Sequence, residues 1–558
     1  MNRAVVLGLF VLLVVSAGFV VTGPFDFGGA GNDTPTETEL SFTEVAADVG
    51  LEYESTERDA GNGNDGLYVA DYTNNLREDI LAIGDDEGDS PILFMNTGDG
   101  FERTNAIPDI DGRVQGALWL DHDNDGWEDL LLLRRGDTPV FLENEGGEFV
   151  ERDVGFDDEF AVPVAATAAD ADGNGCLDVF VADYGDWTRT TPKAWTSAFF
   201  DEDNGNPNAL YRGSCGTFER DDNAGIGPGQ AGPHWSMAAT FADLTGDGNP
   251  DIHVANDYYN DTVYLNRGDG TFTREYLGEE TDRNGMSSTI GDVTADGQPE
   301  IFVTNIYFPR DRLDELDEQQ RTLIGQFFDN RLGKRMQGNN LLAHRDDGFT
   351  DVGSDLGIAE GGWGWAVVLA DLDSDGQLDA FHGTQDVVYF DRENPVYALP
   401  MVWVQHDGDF YRQDASATGI ELTDDRGVVR MDYRIDGALD VAIATYDDRY
   451  RLYRNDADQG NSLQVVVGGA ETLGHTTIGA EVTATVDETT QHRFHNARAD
   501  YQSQDSRVLH VGTGDAESVD ELRVVWPDGT ERTLEDVETG QRILLTPDGI
   551  EATIEYEE

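Results

Sequence analysis

The chain has 558 residues, with 111 Asp plus Glu against 36 Lys plus Arg and a formal net charge of -75. Only two lysines occur, Lys193 and Lys334, beside 34 arginines, and 73 of the acids are Asp. Nothing here displaces counterions from phosphate, so nucleic-acid binding through a basic face is excluded. Disorder is excluded too, because 39% hydrophobic and 10% aromatic residues are enough for a large core. What remains is a folded protein with a highly acidic surface. Such repulsion is tolerable where salt screens it within roughly 3 Å, as at 1 M, which points to an extreme halophile as host. The two cysteines, Cys176 and Cys215, allow one bridge at most and no four-thiolate metal site.

Residues 1–22 contain an uncharged apolar run, Ala4 to Val21, expected to form a hydrophobic helix that is either a signal peptide or a retained membrane anchor. Small residues at Val15-Ser16-Ala17 offer a cleavage site, whereas the length of the run favours retention. With Arg3 inside, the rest of the chain is expected outside the cell, and that segment is the only expected contact with a membrane. Residues 23–40 read as a flexible linker. The sequons Asn32-Asp33-Thr34 and Asn260-Asp261-Thr262 fit an exported protein.

From residue 41 to 456 one nine-residue pattern recurs seven times, beginning at Asp71, Asp121, Asp170, Asp243, Asp292, Asp371 and Asp432. At this Asp content a full D-x-D-x-D-G-x-x-D arises by chance in about one such chain in fifty, so a series is not coincidence. An apolar run precedes each copy and another follows. Then come a third short strand, such as Val263-Tyr264-Leu265-Asn266, a Gly/Asp turn, and a Phe opening a fourth. Four short strands per repeat predict an all-β fold, a seven-bladed β-propeller. Phe42 precedes the first copy, and the last unit ends at Asn455 without a Phe strand. The segment at Phe42 is therefore expected to complete the seventh blade and remove a sheet edge.

In each loop, positions one, three, five and nine offer side-chain oxygens, position seven offers a carbonyl, and Gly at six permits a tight turn. Hard oxygen donors at this density suit Ca²⁺. The second copy offers Asp121, Asp123, Asp125, Trp127 (carbonyl) and Asp129; the third Asp170, Asp172, Asn174, Cys176 (carbonyl) and Asp178. The fourth offers Asp243, Thr245, Asp247, Asn249 (carbonyl) and Asp251, and the fifth Asp292, Thr294, Asp296, Gln298 (carbonyl) and Glu300. The sixth offers Asp371, Asp373, Asp375, Gln377 (carbonyl) and Asp379. About five Ca²⁺ sites are thus expected. The first copy has Leu76 for Gly and then Arg77, and the seventh has Arg434 at position three, so neither is expected to hold metal. The bland alternative for every copy is a solvated acidic turn.

These seven units resemble FG-GAP/VCBS repeats, as in integrin alpha-chain propellers and the cartilage acidic protein family. Residues 457–548 form a small β domain by their strand pattern, Leu463 to Val467, Glu481 to Val486, Val508 to Val511 and Leu522 to Trp526, with Trp526 in its core. With Ile478-Gly479-Ala480-Glu481-Val482, Tyr501-Gln502-Ser503-Gln504, Leu509-His510-Val511-Gly512 and Val524-Val525-Trp526-Pro527-Asp528-Gly529, this part is similar to the ASPIC/UnbV domain that follows such propellers. The resemblance implies an extracellular, calcium-dependent protein. Vertebrate members add a Cys-rich EGF-like module, which is not found in these residues, so partners tied to it are not carried over. Residues 549–558 read as an acidic tail.

In a four-stranded up-and-down blade the first and third turns share one face. Cys176 and Cys215 then lie together, and the long insertions 183–208, 305–338 and 383–400 fall on the opposite face, where partner binding is expected. His234-Trp235 and Trp363-Gly364-Trp365 enter first strands near the channel mouth, and His253 and His382 read as strand residues rather than ligands. The expected function is a binding or adhesion module for a protein or glycan at the cell surface. The alternative is a polysaccharide-acting lyase or hydrolase with its site on the insertion face, although no nucleophile-base signature is present.

Overall fold

The computed structural model describes residues 40–556 except 56–64, 85–89, 186–204, 227–234, 258, 278–280, 282–283, 306–337, 346–347, 385–400, 414–417, 422, 458–459, 470–474 and 498–499. The N-terminal apolar run, most of the three insertions and His234 therefore lie outside the described residues. Among the described residues no helix is long and apolar enough to cross a membrane.

The repeats fold as seven antiparallel sheets in an all-β, propeller-like arrangement. The second, with strands Val114–Leu120, Asp129–Arg134, Val140–Asn144 and Phe149–Arg152, shows the logic. The first two strands are mostly apolar, with Gln115, Asp129 and Arg134 towards their ends, and nearly every residue is buried, as strands between neighbouring sheets must be. The outer strand alternates and meets solvent. Phe at its start is buried in sheet after sheet, at Phe101, Phe149, Phe218, Phe272, Phe349 and Phe410. Phe42–Glu44 pairs antiparallel with Arg451–Asn455, Phe42 opposite Asn455, so the N-terminal strand is the outer strand of the seventh sheet.

The C-terminal part is a two-sheet sandwich. One sheet orders Leu509–Gly514, Asn461–Val467, Gln541–Thr546 and Gly549–Glu555; the other orders Thr489–His495, Ala480–Val486, Ser518–Val525 and Glu531–Glu538. Trp526 is buried between them and donates its indole N–H to Gly468 O at 3.1 Å. The expected acidic tail is corrected here: Gly549–Glu555 is an edge strand paired with Gln541–Thr546. Alternation explains it, since Ala552, Ile554 and Tyr556 are half-buried while Glu551, Thr553 and Glu555 face solvent.

Between Thr489–His495 and Leu509–Gly514 the sandwich sends a polar segment into the ring. Ser503–Gln504 adds as a parallel strand to Gly66–Ala70 of the first sheet. Gln504 bonds both Trp119 N and Trp119 O of the second sheet, and Ala497 O accepts from Ala168 N of the third. Asp500 accepts from Ser287 Oγ (2.7 Å) and Ser288 N (2.9 Å), just before the short fifth-sheet strand Thr289–Gly291, and from Val367 N (3.2 Å) of the sixth sheet. Asp505 accepts from Arg430 N of the seventh sheet at 3.1 Å. Tyr501 joins Trp235 and Met237 of the fourth sheet in one apolar cluster. The segment thus plugs the centre and touches all seven sheets. Its side-chain oxygens satisfy inner-strand N–H groups that have no strand beside them, which burial would otherwise penalise.

Asp500→Ala strands four donors, those three and Tyr501 N at 2.8 Å, and a loss of about 4 kcal/mol is expected at roughly 1 kcal/mol per donor. Urea unfolding of the full chain at constant high KCl measures it; a change below about 0.5 kcal/mol would mean the plug carries no such load.

Candidate functional site

The seven first turns share one backbone. Position one caps the turn: its carboxylate accepts the N–H of position six in all seven copies, from Leu76 N to Asp71 through Gly437 N to Asp432, at 2.6 to 3.1 Å. Position six is left-handed throughout, from φ 64° at Leu76 to φ 97° at Gly376, and position four likewise. Glycine at six relieves that strain; Leu76 adopts it nonetheless, held by its bond to Asp71 Oδ2.

Position nine ties each loop to its own third strand. One oxygen of Asp79, Asp129, Asp178, Asp251, Asp379 and Asp440 accepts an N–H from Asn96, Asn144, Gly213, Asn266, Gln405 and Asn455 respectively, at 2.7 to 2.9 Å. In the fifth copy Glu300 reaches back instead to Val293 N, Thr294 N and Thr294 Oγ1. Position seven is fixed by position five: Trp127 N, Cys176 N, Asn249 N, Gln298 N and Gln377 N donate to Asp125, Asn174, Asp247, Asp296 and Asp375.

Two copies gather three carboxylates whose oxygens lie within 4.8 Å of one another: Asp121, Asp123 and Asp125, and Asp371, Asp373 and Asp379. Burial, followed by Glu128, pushes Asp121 up to about 7. Burial, followed by Asp373 and Asp371, holds Asp379 well above the carboxylate range. Asp371 is 1% exposed, and its Oδ1 accepts no hydrogen bond among the described residues. A buried, unpartnered carboxylate oxygen beside two further carboxylates fits a hard divalent cation.

The other copies compensate charge more locally. Arg212 pairs Asp178 at 2.7 Å in the third, and Arg345 pairs Asp296 at 2.8 Å in the fifth. Thr294 is drawn to Glu300, while Asp170, Asp243 and Asp292 serve as turn caps. Asp172 accepts Asn174 N at 3.2 Å. Thr245 is half-buried in the fourth turn and, among the described residues, makes no hydrogen bond to the other donors of its loop. In the seventh copy Arg434 pairs Asp436 at 2.6 Å. Asp432 is held by Gly437 N and by Gln464 Nε2 of the C-terminal domain at 2.8 Å each.

Cys176 and Cys215 form a disulfide with Cα atoms 5.0 Å apart. His253 and His382 are fully buried strand residues; His253 Nδ1 meets Ser288 Oγ at 2.8 Å and His382 stacks on Trp403. Trp235 is buried against Tyr184 at the mouth opposite the acidic turns, and Trp365 stacks on Tyr501 there.

Three features escaped sequence reading. The third-strand amides clasp neighbouring sheets: Asn96, Asn144, Asn266, Gln405 and Asn455 donate to the position-two carbonyls of Tyr433, Tyr72, Ala171, Val293 and Leu372 at 2.8 to 3.0 Å. Their recurrence after the third apolar run was the available signal. Where Gly213 replaces that amide, Asn124 Nδ2 reaches Gly175 O at 3.1 Å. The C-terminal domain also lies over the acidic turns, through Thr476 N to Gly175 O, Gly460 N to Asp373 O and Gly514 N to Ser374 O. Finally, Arg542 is buried beneath that domain, bonded to Leu76 O and Asp432 O and paired with Glu78 at 3.0 Å.

A ring of four-stranded sheets with acidic first turns, covered by a β-sandwich, defines the class. The chain carries the repeats and the domain that this implies: the FG-GAP-like repeat family matches residues 121–181 and 243–303, and the ASPIC and UnbV family matches residues 472–552. No curated protein matches the chain. Among solved structures, the BP39L lectin of Burkholderia pseudomallei is similar at 11% identity over 73% of this chain and 97% of that one, with a TM-score of 0.44.

Asn144→Ala removes the clasp to Tyr72 O, a bond to Glu128 O and an acceptor for Gly147 N. A loss of about 2 kcal/mol in urea unfolding is expected; an unchanged midpoint would show that the clasps are incidental.

Proposed function

We propose that this protein is a calcium-stabilised, seven-bladed propeller that acts as a binding or adhesion module on the outside of an extremely halophilic cell. The observation that carries the metal is the sixth acidic turn, where Asp371 Oδ1 is buried without a partner beside Asp373 and Asp379. Similar donor sets in the second to fifth turns bring the number of ions to about five. Each ion would offset repulsion within a first hairpin, so that binding free energy adds to folding free energy.

The partner face follows by elimination. The C-terminal domain lies over the acidic turns, and its plug fills the centre. The opposite face is where the three insertions leave and rejoin the sheets, after Asp183, Val303 and Thr384. There Arg426 lies between Trp365 and Tyr446, 4.8 and 4.7 Å from the two ring centres. Long connections on a rigid ring, beside aromatic and charged groups, suit a protein or glycan partner. The charge of -75 supports the halophilic assignment, and the apolar run before residue 22 supports export.

Labelled full-length protein should bind halophile cell envelopes or an immobilised polysaccharide array at high KCl. Shortening the 305–338 connection should abolish binding while calcium content and melting stay unchanged. Binding that survives removal of all three insertions would refute the assignment of the face. In addition, Arg434→Asp rebuilds the seventh acidic set and should raise the calcium content by one ion; an unchanged content would mean that the carboxylate set does not define the site.

A further inference from the structure

The acidic turns differ in what covers them. No C-terminal residue is bonded to the fourth turn, Asp243 to Asp251, among the described contacts, whereas the sixth is roofed by the C-terminal sandwich. Gly512 N donates to Asp371 Oδ2 at 3.1 Å, and Gly514 N to Ser374 O at 2.8 Å. Gly460 N reaches Asp373 O at 3.1 Å, and Arg493 Nη2 reaches Gly376 O at 3.2 Å. Ser374 Oγ meets His510 Nε2 at 3.2 Å. Three of these contacts are to backbone carbonyls of the turn, so docking depends on the conformation of the turn as well as its charge.

The same domain treats the two degenerate turns differently. Over the first and seventh it places Arg542, 0% exposed, whose guanidinium bonds Leu76 O, Asp432 O and Glu78. A fixed cation of the chain thus sits where the loop sequence has lost its metal pattern. At the sixth turn the nearest guanidinium, Arg493, stays 3.8 Å from Asp371 Oδ2, and Asp371 Oδ1 accepts nothing. Among the described residues, buried carboxylate oxygens without a hydrogen-bond partner occur at all three turns, Glu78 Oε1, Asp79 Oδ2 and Asp440 Oδ2 at the first and seventh and Asp371 Oδ1 at the sixth; what differs is that Arg542 pairs a carboxylate, Glu78, whereas Arg493 bonds only the backbone of its turn at Gly376 O.

We propose that the sixth turn is a calcium-dependent latch between the ring and the C-terminal domain, with Arg542 as its metal-independent counterpart over the first and seventh turns. This rests on the calcium reading of the acidic turns and extends it to one regulated contact. With calcium bound, Asp371, Asp373, Asp375 and Asp379 share a cation, and the turn presents Asp373 O, Ser374 O and Gly376 O in the docking geometry. Without it, three carboxylates within 4.8 Å repel one another and the turn opens beneath the domain. The domain then remains tied by Arg542 and the plug, but loosened on the side of the sixth turn.

The test uses the full chain at constant high KCl with added CaCl₂. Asp375→Asn alters the sixth turn at position five, an exposed residue whose hydrogen bonds stay within its own turn, to Asp373 and Gln377. Asp247→Asn makes the same change in the fourth turn. Elemental analysis should show that each variant loses one ion. Amide hydrogen exchange should then rise about tenfold or more in Asn461–Val467 and Leu509–Gly514 for Asp375→Asn, and stay unchanged there for Asp247→Asn. Arg542→Lys, combined with Asp375→Asn, should raise exchange further than either change alone. If each variant loses an ion but exchange in those strands is unchanged, or rises equally in both, the latch is wrong and the calcium reading stands. If the unaltered protein holds no calcium, the calcium reading itself has failed.

Discussion

Every repeat depends on a carboxylate that closes its own turn. Position one binds the N–H of position six, and position nine in six copies binds the third strand, so a single hairpin gathers several negative charges with little freedom to separate them. This geometry persists in the first and seventh turns, which lack the full metal pattern. The turn is thus primarily a backbone device. Acids at positions three and five cap as well, accepting the N–H groups of positions five and seven, and they add to the crowding that the proposed cation would offset.

The sheets are held to one another by a separate set of bonds. Third-strand amides reach the position-two carbonyl of the adjacent turn, so the acidic hairpins are also the anchor points of the inter-sheet clasps. Anything that orders a turn therefore orders the junction beside it. From the centre, the plug supplies carbonyl, amide and carboxylate groups to inner strands that meet no other strand. The C-terminal domain is accordingly built into the ring, and for that reason the proposed partner face is the one opposite the acidic turns.

Much of this arrangement was legible in the sequence. The nine-residue spacing located all seven turns, and the apolar runs before and after each located the inner strands. The place of Phe42 followed from counting strands, and the proximity of Cys176 and Cys215 from which turns share a face. The C-terminal domain was readable as β, but Gly549–Glu555 was missed because its acids alternate with only half-buried residues. The plug was not legible: Asp500, Gln502, Ser503 and Gln504 carry no apolar period, and their partners lie hundreds of residues away. Arg542 was hidden for the same reason. Its partners, Leu76, Glu78 and Asp432, belong to turns that look degenerate until the domain covering them is placed.

The central claim is that cations in the acidic turns hold this highly charged ring together. It is tested most directly by elemental analysis of the purified protein together with thermal unfolding before and after chelation, at constant high KCl so that salt loss is not mistaken for calcium loss. The account predicts about five Ca²⁺ per chain and a melting temperature that falls by about 10 °C or more on chelation and recovers when calcium is returned. A protein without bound calcium, melting identically with and without chelator, would contradict it and leave these turns as capped acidic hairpins.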